Sequence, residues 1–191
     1  MDALAAESFL NAPHKVCGLR MLPLSLGHAF ALEAIASPFY HGQLGSEAEL
    51  RLAAWICSRP PLALPQMDGW RCRLWKCRKL DFVAEVARWK TYVADYCAPP
   101  QLWNKTPKAG EERREPSAIP SAVSTVVRLM RLGMTEQQAW ATPVGAATWY
   151  EAAAFEIEQG ARLDIVTDSE RLAIARAKAR QAAAEEAKQN V

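Results

Sequence analysis

Hydrophobic positions recur at helical spacing through most of this chain. Leu26, Phe30 and Ala34 line one face of a segment running from Ser25 to about Ser37, while Leu32, Ile35 and Ala36 cover much of the rest. A helix apolar nearly all round belongs inside a fold. Leu50, Ala53, Ala54 and Cys57 repeat the spacing, with Trp55 and Ile56 on an adjacent face. From about Leu80 to Cys97 the stripe Phe82, Val86, Trp89, Val93 and Tyr96 advances by four, three, four and three, which predicts one long face for packing against another helix or a partner.

Local signals punctuate these stripes. Ser46 with Glu49, Thr135 with Gln138 and Thr167 with Glu170 have capping-box spacing, in which a hydroxyl serves the amide three residues on and the acid or amide reaches back. Pro38 and Arg59-Pro60-Pro61 are helix stops. Pro120 is placed to open a helix at its first position and Gly133 to close it, Thr142-Pro143 reads as an N-cap followed by Pro, and Gly160 ends the helix after it. Residues preceding Pro are pushed away from the α region, so Lys15 to Leu22 is expected to be extended ahead of Pro23.

These elements predict an all-α protein, an irregular bundle of about six to seven helices with an Ala- and charge-rich C-terminal helix. The expected divisions are an N-terminal helical part over residues 1–98, a mobile linker over 99–118, a three-helix unit over 119–160 and an extended C-terminal helix over 161–191. The last is rich in Ala, Arg, Lys and Glu and holds hardly any large apolar residue beyond Leu172 and Ile174, so it depends on propensity unless a partner covers it.

Composition narrows the function classes. The chain has 191 residues, half of them hydrophobic, enough for a real core and against disorder as a global description. A net charge of +2 is too small to imply a nucleic-acid or membrane partner for the whole chain. His28 and Glu33 interrupt the most apolar run, which excludes a spanning helix there, and Met1-Asp2-Ala3 opens without the basic region of a secretory signal. An odd number of cysteines, at 17, 57, 72, 77 and 97, fits a reducing cytoplasm in which thiols act as small buried hydrophobes.

Candidate chemistry is sparse. Cys72 and Cys77 are the only close cysteine pair, with four residues between them, where structural zinc sites show two pairs; neither a metal nor any other cofactor is expected. Arg71, Arg73, Lys76, Arg78 and Lys79, interleaved with Trp70 and Trp75, carry the chemistry of a nucleic-acid contact, though cationic stems also stack on Trp in ordinary proteins. Gly133-Met134-Thr135 looks like the entry to a helix-turn-helix. Pro143 sits where its turn favours Gly, however, and Met134 to Gly160 carries four acids and no base, so a protein-facing or core role is favoured over a phosphate-facing one. Trp140, Trp149, Tyr150 and Trp89 are the candidate protein-binding residues, because aromatics supply much of interface energy. His28, on a mostly apolar helix, reads as a hydrogen-bonded core histidine, and no nucleophile–base or phosphate-loop pattern is present, so the chain is expected to be non-enzymatic.

Gly133-Met134-Thr135-Glu136-Gln137-Gln138-Ala139-Trp140, followed by Pro143, Gly145 and Trp149-Tyr150, resembles the helical body of tail assembly proteins and tail assembly chaperones of long-tailed bacteriophages. Leu24-Ser25-Leu26-Gly27-His28, with Ser37-Pro38-Phe39, is similar to small proteins encoded among phage and prophage tail genes. Together these stretches cover about a third of the chain. The resemblance implies a cytoplasmic, non-enzymatic factor that binds the tape measure protein, and tail tube protein, during tail assembly. Two other classes remain open: a structural virion or connector protein, and a DNA-binding regulator using residues 70–79. A homo-oligomer is left open as well.

Overall fold

The computed structural model describes residues 13–62, 79–97, 99–100, 119–160 and 163–189. Among them the protein is all-α apart from one small hairpin. Strands β1 (Lys15–Val16) and β2 (Leu19–Arg20) precede helices α1 (Leu26–Ala34), α2 (Glu47–Cys57), α3 (Phe82–Tyr96), α4 (Ser121–Arg131), α5 (Glu136–Ala141), α6 (Val144–Gln159) and α7 (Asp168–Gln189).

The segment expected to be simply extended folds back on itself. Val16 pairs with Leu19 and Lys15 with Arg20 in antiparallel register, with Cys17 and Gly18 in the loop at φ of 50° and 79°. Two successive left-handed residues turn the chain with the twist that antiparallel strands need. Cys-Gly is not the usual pair for this turn, and its support comes from elsewhere: Glu85 of α3, itself buried, accepts the Cys17 N–H at 2.6 Å through Oε2. Its other oxygen takes Arg88 Nη1 at 2.5 Å.

One core joins the hairpin, α1, α2 and α3. Val16, Leu24, Leu32, Leu50, Trp89 and Tyr92 are all essentially inaccessible within it. The aromatic rings of α3 bury their area here and satisfy their polar ends on loop carbonyls. Tyr92 Oη donates to Leu22 O at 2.9 Å, and Trp89 Nε1 to Phe39 O at 3.3 Å. Tyr92, absent from the expected stripe, is fully buried, while Val93, which belongs to it, is only half-buried. The packed face is thus turned toward Glu85, Tyr92 and Tyr96. A second, smaller core gathers Leu26 of α1, Val126 and Leu129 of α4, Ala139 of α5 and Ala147 of α6. Helix α1 packs on α2, α4, α5 and α6, which buries Leu26, Ala29 and Leu32, whereas Ala34, Ile35 and Ala36, expected to be enclosed with them, are exposed where the helix ends.

The boundaries of α1, α4 and α6 differ from expectation in instructive ways. Helix α1 ends at Ala34 rather than near Ser37: Ala36 turns left-handed at φ 49°, with its N–H on Glu33 O and the Ser37 N–H on Leu32 O. These are the two bonds of a Schellman motif with Ala in the place that usually needs Gly. Gly133 fills that place after α4, where its φ is 95°, its N–H meets Met130 O and the Met134 N–H meets Leu129 O. Pro120 and Pro143 are N-caps with extended ψ, not first helical residues, and neither supplies a side-chain cap. Thr142, expected to cap α6, instead closes α5, and its hydroxyl donates to Gln138 O at 2.8 Å. The boxes at Ser46, Thr135 and Thr167 form as their spacing predicts.

Two stability changes follow from this geometry. Ala36→Gly relieves a left-handed residue with a Cβ and is expected to stabilise the protein by about 0.5–1 kcal/mol, read from the chemical-denaturation midpoint at unchanged slope. Glu85→Ala removes the acceptor of a buried N–H in the hairpin turn and is expected to cost about 2–3 kcal/mol in the same measurement. The exposed Arg88 adds little to that figure.

Candidate protein-binding surface

Helices α4, α5 and α6 sit over α1 as the fold's second layer, and their order is set at the backbone. Ser25 and Pro143, the N-caps of α1 and α6, lie side by side in an isolated antiparallel bridge. The Leu26 N–H donates to Thr142 O at 3.0 Å and the Val144 N–H to Leu24 O at 2.9 Å. The bridge leaves Ser25 and Pro143 as the pair that exchanges no bond with each other, so a residue without an N–H fits there. Each bond satisfies the first orphan donor of a helix with a carbonyl leading into the other helix.

Gly27, the second residue of α1, is where the segment after α2 comes closest. A Cβ at that position would lie 2.7 Å from Pro61 Cβ and 3.3 Å from Trp140 O. Next to it His28, buried, completes the capping box of α1: Nδ1 lies 3.2 Å from the Ser25 N–H, and Nε2 lies 2.7 Å from Arg59 O, at the end of α2. Donation from Nε2–H and acceptance at Nδ1 is the neutral tautomer that serves both neighbours. Burial holds the imidazole pKa below its ordinary 6.5, outweighing the carbonyls of Arg59 and Pro23, which favour the charged ring. His28 is therefore a joint between helices, as its setting in the sequence suggests.

The sequence's candidate aromatics separate once placed. Trp89 is 1% exposed, in the core of α3, and offers no surface to a partner. Trp140 is half-buried, its ring 5.5 Å from that of Phe30, beside an open cleft of about 320 Å³ bordered by Pro60, Pro61 and Leu62. Trp149 is half-buried on α6 and Tyr150 is 37% exposed. The buried side of α6 is made by Gly145, Ala146 and Ala147, small residues that let it lie close to α1. They occupy the stretch that would have been the base-reading helix of a DNA-binding motif, and they face protein.

Further along α6 the surface becomes apolar. Phe155 is 49% and Ile157 82% exposed, and Leu132, just past α4, is 47% exposed. A cleft of about 370 Å³ opens between α4 and α6, lined by Leu132, Ala154 and Phe155 with Arg128, Arg131, Glu151 and Glu158 on its rim. Arg128 lies 3.6 Å from Glu151 across it. Phe155 and Ile157 were missed as candidates, although their separation of two residues puts them on different sides of a helix and so forbids both from facing one core.

Of the basic segment, Arg71, Arg73, Lys76 and Arg78 lie outside the described residues, as do Cys72 and Cys77, and Lys79 is exposed. Among the described residues no group of three His, Cys, Asp or Glu is arranged to hold a metal ion, and no helix is long and apolar enough to cross a membrane. Burial pushes the Cys57 thiol up to about 12 and those of Cys17 and Cys97 to about 11, so all three stay protonated and poorly nucleophilic at neutral pH. No family model, no curated protein and no solved structure matches the chain.

The His28 joint has a pH signature. Its folded pKa lies below the unfolded value, so its contribution to stability is complete above about pH 6.5 and is lost as pH falls below that value toward the folded pKa. Urea unfolding at about pH 7.5 and pH 5.5 should show a loss of stability on acidification, and that loss should be smaller in His28→Gln.

Proposed function

We propose that this chain is a non-enzymatic phage tail assembly factor that acts in the host cytoplasm by holding a helical client, the tape measure protein, against its α4–α6 face. The observation that carries the reading is the open cleft between α4 and α6, into whose lining Leu132 and Phe155 put large apolar side chains 47% and 49% exposed. Large apolar groups grouped around a groove with a charged rim suit the apolar stripe of an amphipathic helix, and a tape measure protein is a long helical client that must be kept from aggregating. The resemblance carried by Gly133 to Trp140 and by Trp149-Tyr150 names the client class. Tail tube protein is the second client that the resemblance implies.

Co-expression with the tape measure protein of the same tail-gene cluster tests this reading. The expected outcome is a co-purifying complex and a soluble client. Phe155→Asp, at an exposed position in the cleft wall, should leave the melting temperature within a few degrees of wild type and weaken the complex about thirtyfold, the effect of an interface hot spot worth about 2 kcal/mol. A client that neither co-purifies nor gains solubility overturns the reading.

A further inference from the structure

Two surfaces are left over once the chain has packed. One is the end of α6, where Ile157 is 82% and Phe155 49% exposed and the last turn carries acids with no base. Glu156 and Glu158 there oppose the negative end of the helix dipole, where cations are favoured. Arg128 and Arg131 share the neighbouring cleft with Glu151 and Glu158, while half-buried Glu156 accepts the Leu163 N–H at 2.6 Å, so the last turn of α6 carries two carboxylates and Glu158 is the exposed one.

The other surface is α7. From Leu172 to Arg180 its side chains are exposed except for Ile174, which is half-buried, and Leu172 alone is 60% exposed. Residues 171–180 hold Arg171, Arg176, Lys178 and Arg180 and no acid. Leu172, Arg176 and Arg180 recur at every fourth residue and so share one face, with small alanines at 173 and 179 on its flanks. The two surfaces match in kind, basic against acidic and Leu172 against Ile157. Because Ile157 and Leu172 are both exposed in the same chain, they do not cover one another within it.

We infer that the chain self-associates, with the basic first half of α7 of one copy lying across the acidic, apolar end of α6 in a second copy, and the exchange repeated about a two-fold axis. A reciprocal arrangement closes the assembly at two chains and leaves no further copy of either surface open. Bases from the partner's α7 supply at the C-terminus of α6 the positive charge that its own last turn lacks. Leu172 and Ile157 then lose their exposure together, which gives the contact an apolar centre that charge pairs between exposed groups alone would not provide.

Sedimentation and light scattering of the purified full-length chain, without any client, test this. The expected result is a concentration-dependent dimer that weakens as salt is added. Two variants must each shift it toward monomer by roughly tenfold or more in dissociation constant: the combined Arg176→Glu, Lys178→Glu, Arg180→Glu, and separately Ile157→Asp. All four positions are exposed, and circular dichroism confirms that the variants remain helical. A monomer at every concentration overturns the inference. So does a dimer that resists Ile157→Asp, whether or not it yields to the α7 variant, because the contact then does not include α6. No client is present, so the outcome stands apart from the tail-assembly reading.

Discussion

The backbone exchange between Leu24–Leu26 and Thr142–Val144 is the contact on which the rest of the molecule depends. Two helices separated by more than a hundred residues of sequence begin at the same point in space, and each first-turn donor is satisfied by the other's lead-in carbonyl. An orphan donor buried without such a partner would cost about 1–3 kcal/mol. The exchange also joins the two cores. Leu24 enters the larger one and Leu26 the smaller, one residue to either side of Ser25, and Val144 packs against both. Pro143 fits this geometry because its position needs no N–H, and the next residue but one after Ser25, Gly27, has no room for a side chain because Pro61 packs against it.

Helix existence was legible because it rests on short-range rules. Capping boxes at Ser46, Thr135 and Thr167 are set by three-residue spacing, and the apolar stripes mark which faces are inward. What was not legible depends on partners distant in sequence. The left-handed Cys17 in the hairpin is held by Glu85, 68 residues away, and no local pattern announces that bond. Tyr92 lies at the margin of the stripe counted from Phe82 and becomes central because Leu22 O waits for its hydroxyl. Thr142 ends α5 rather than capping α6, because Thr-Pro looks the same whether the Thr ends one helix or starts the next. Its Oγ1 settles on Gln138 O, behind it in sequence.

The candidate surface shows the same division. Trp89, Trp140 and Trp149 are alike as sequence letters, yet one is fully enclosed and two are half-enclosed. Aromatic content alone does not separate a core from an interface, since both are apolar and well packed. The residues that do separate them are Phe155 and Ile157, whose spacing on α6 is incompatible with a single inward face. Their signal was available in the sequence and is weaker than a Trp only by size.

The motif residues that carry the resemblance to phage tail proteins have a double standing. Leu24 and Ser25 build the joint between α1 and α6, Gly27 and His28 that between α1 and the segment ending α2, and Gly133 and Thr135 the turn between α4 and α5. Each is required by packing or backbone geometry irrespective of any client, so a protein sharing them would share the scaffold first. Function then rests on what the scaffold leaves exposed. The scaffold fixes the N-terminus of α6 through Pro143 and buries its first turn through Gly145, Ala146 and Ala147, while the last two turns run past the core with Phe155 and Ile157 outward. A helix anchored firmly at one end and bare at the other presents Phe155 to the α4 cleft and Ile157 on another side, both at little cost in conformational entropy. That is the property a surface needs if it is to bind another helix without first having to order itself.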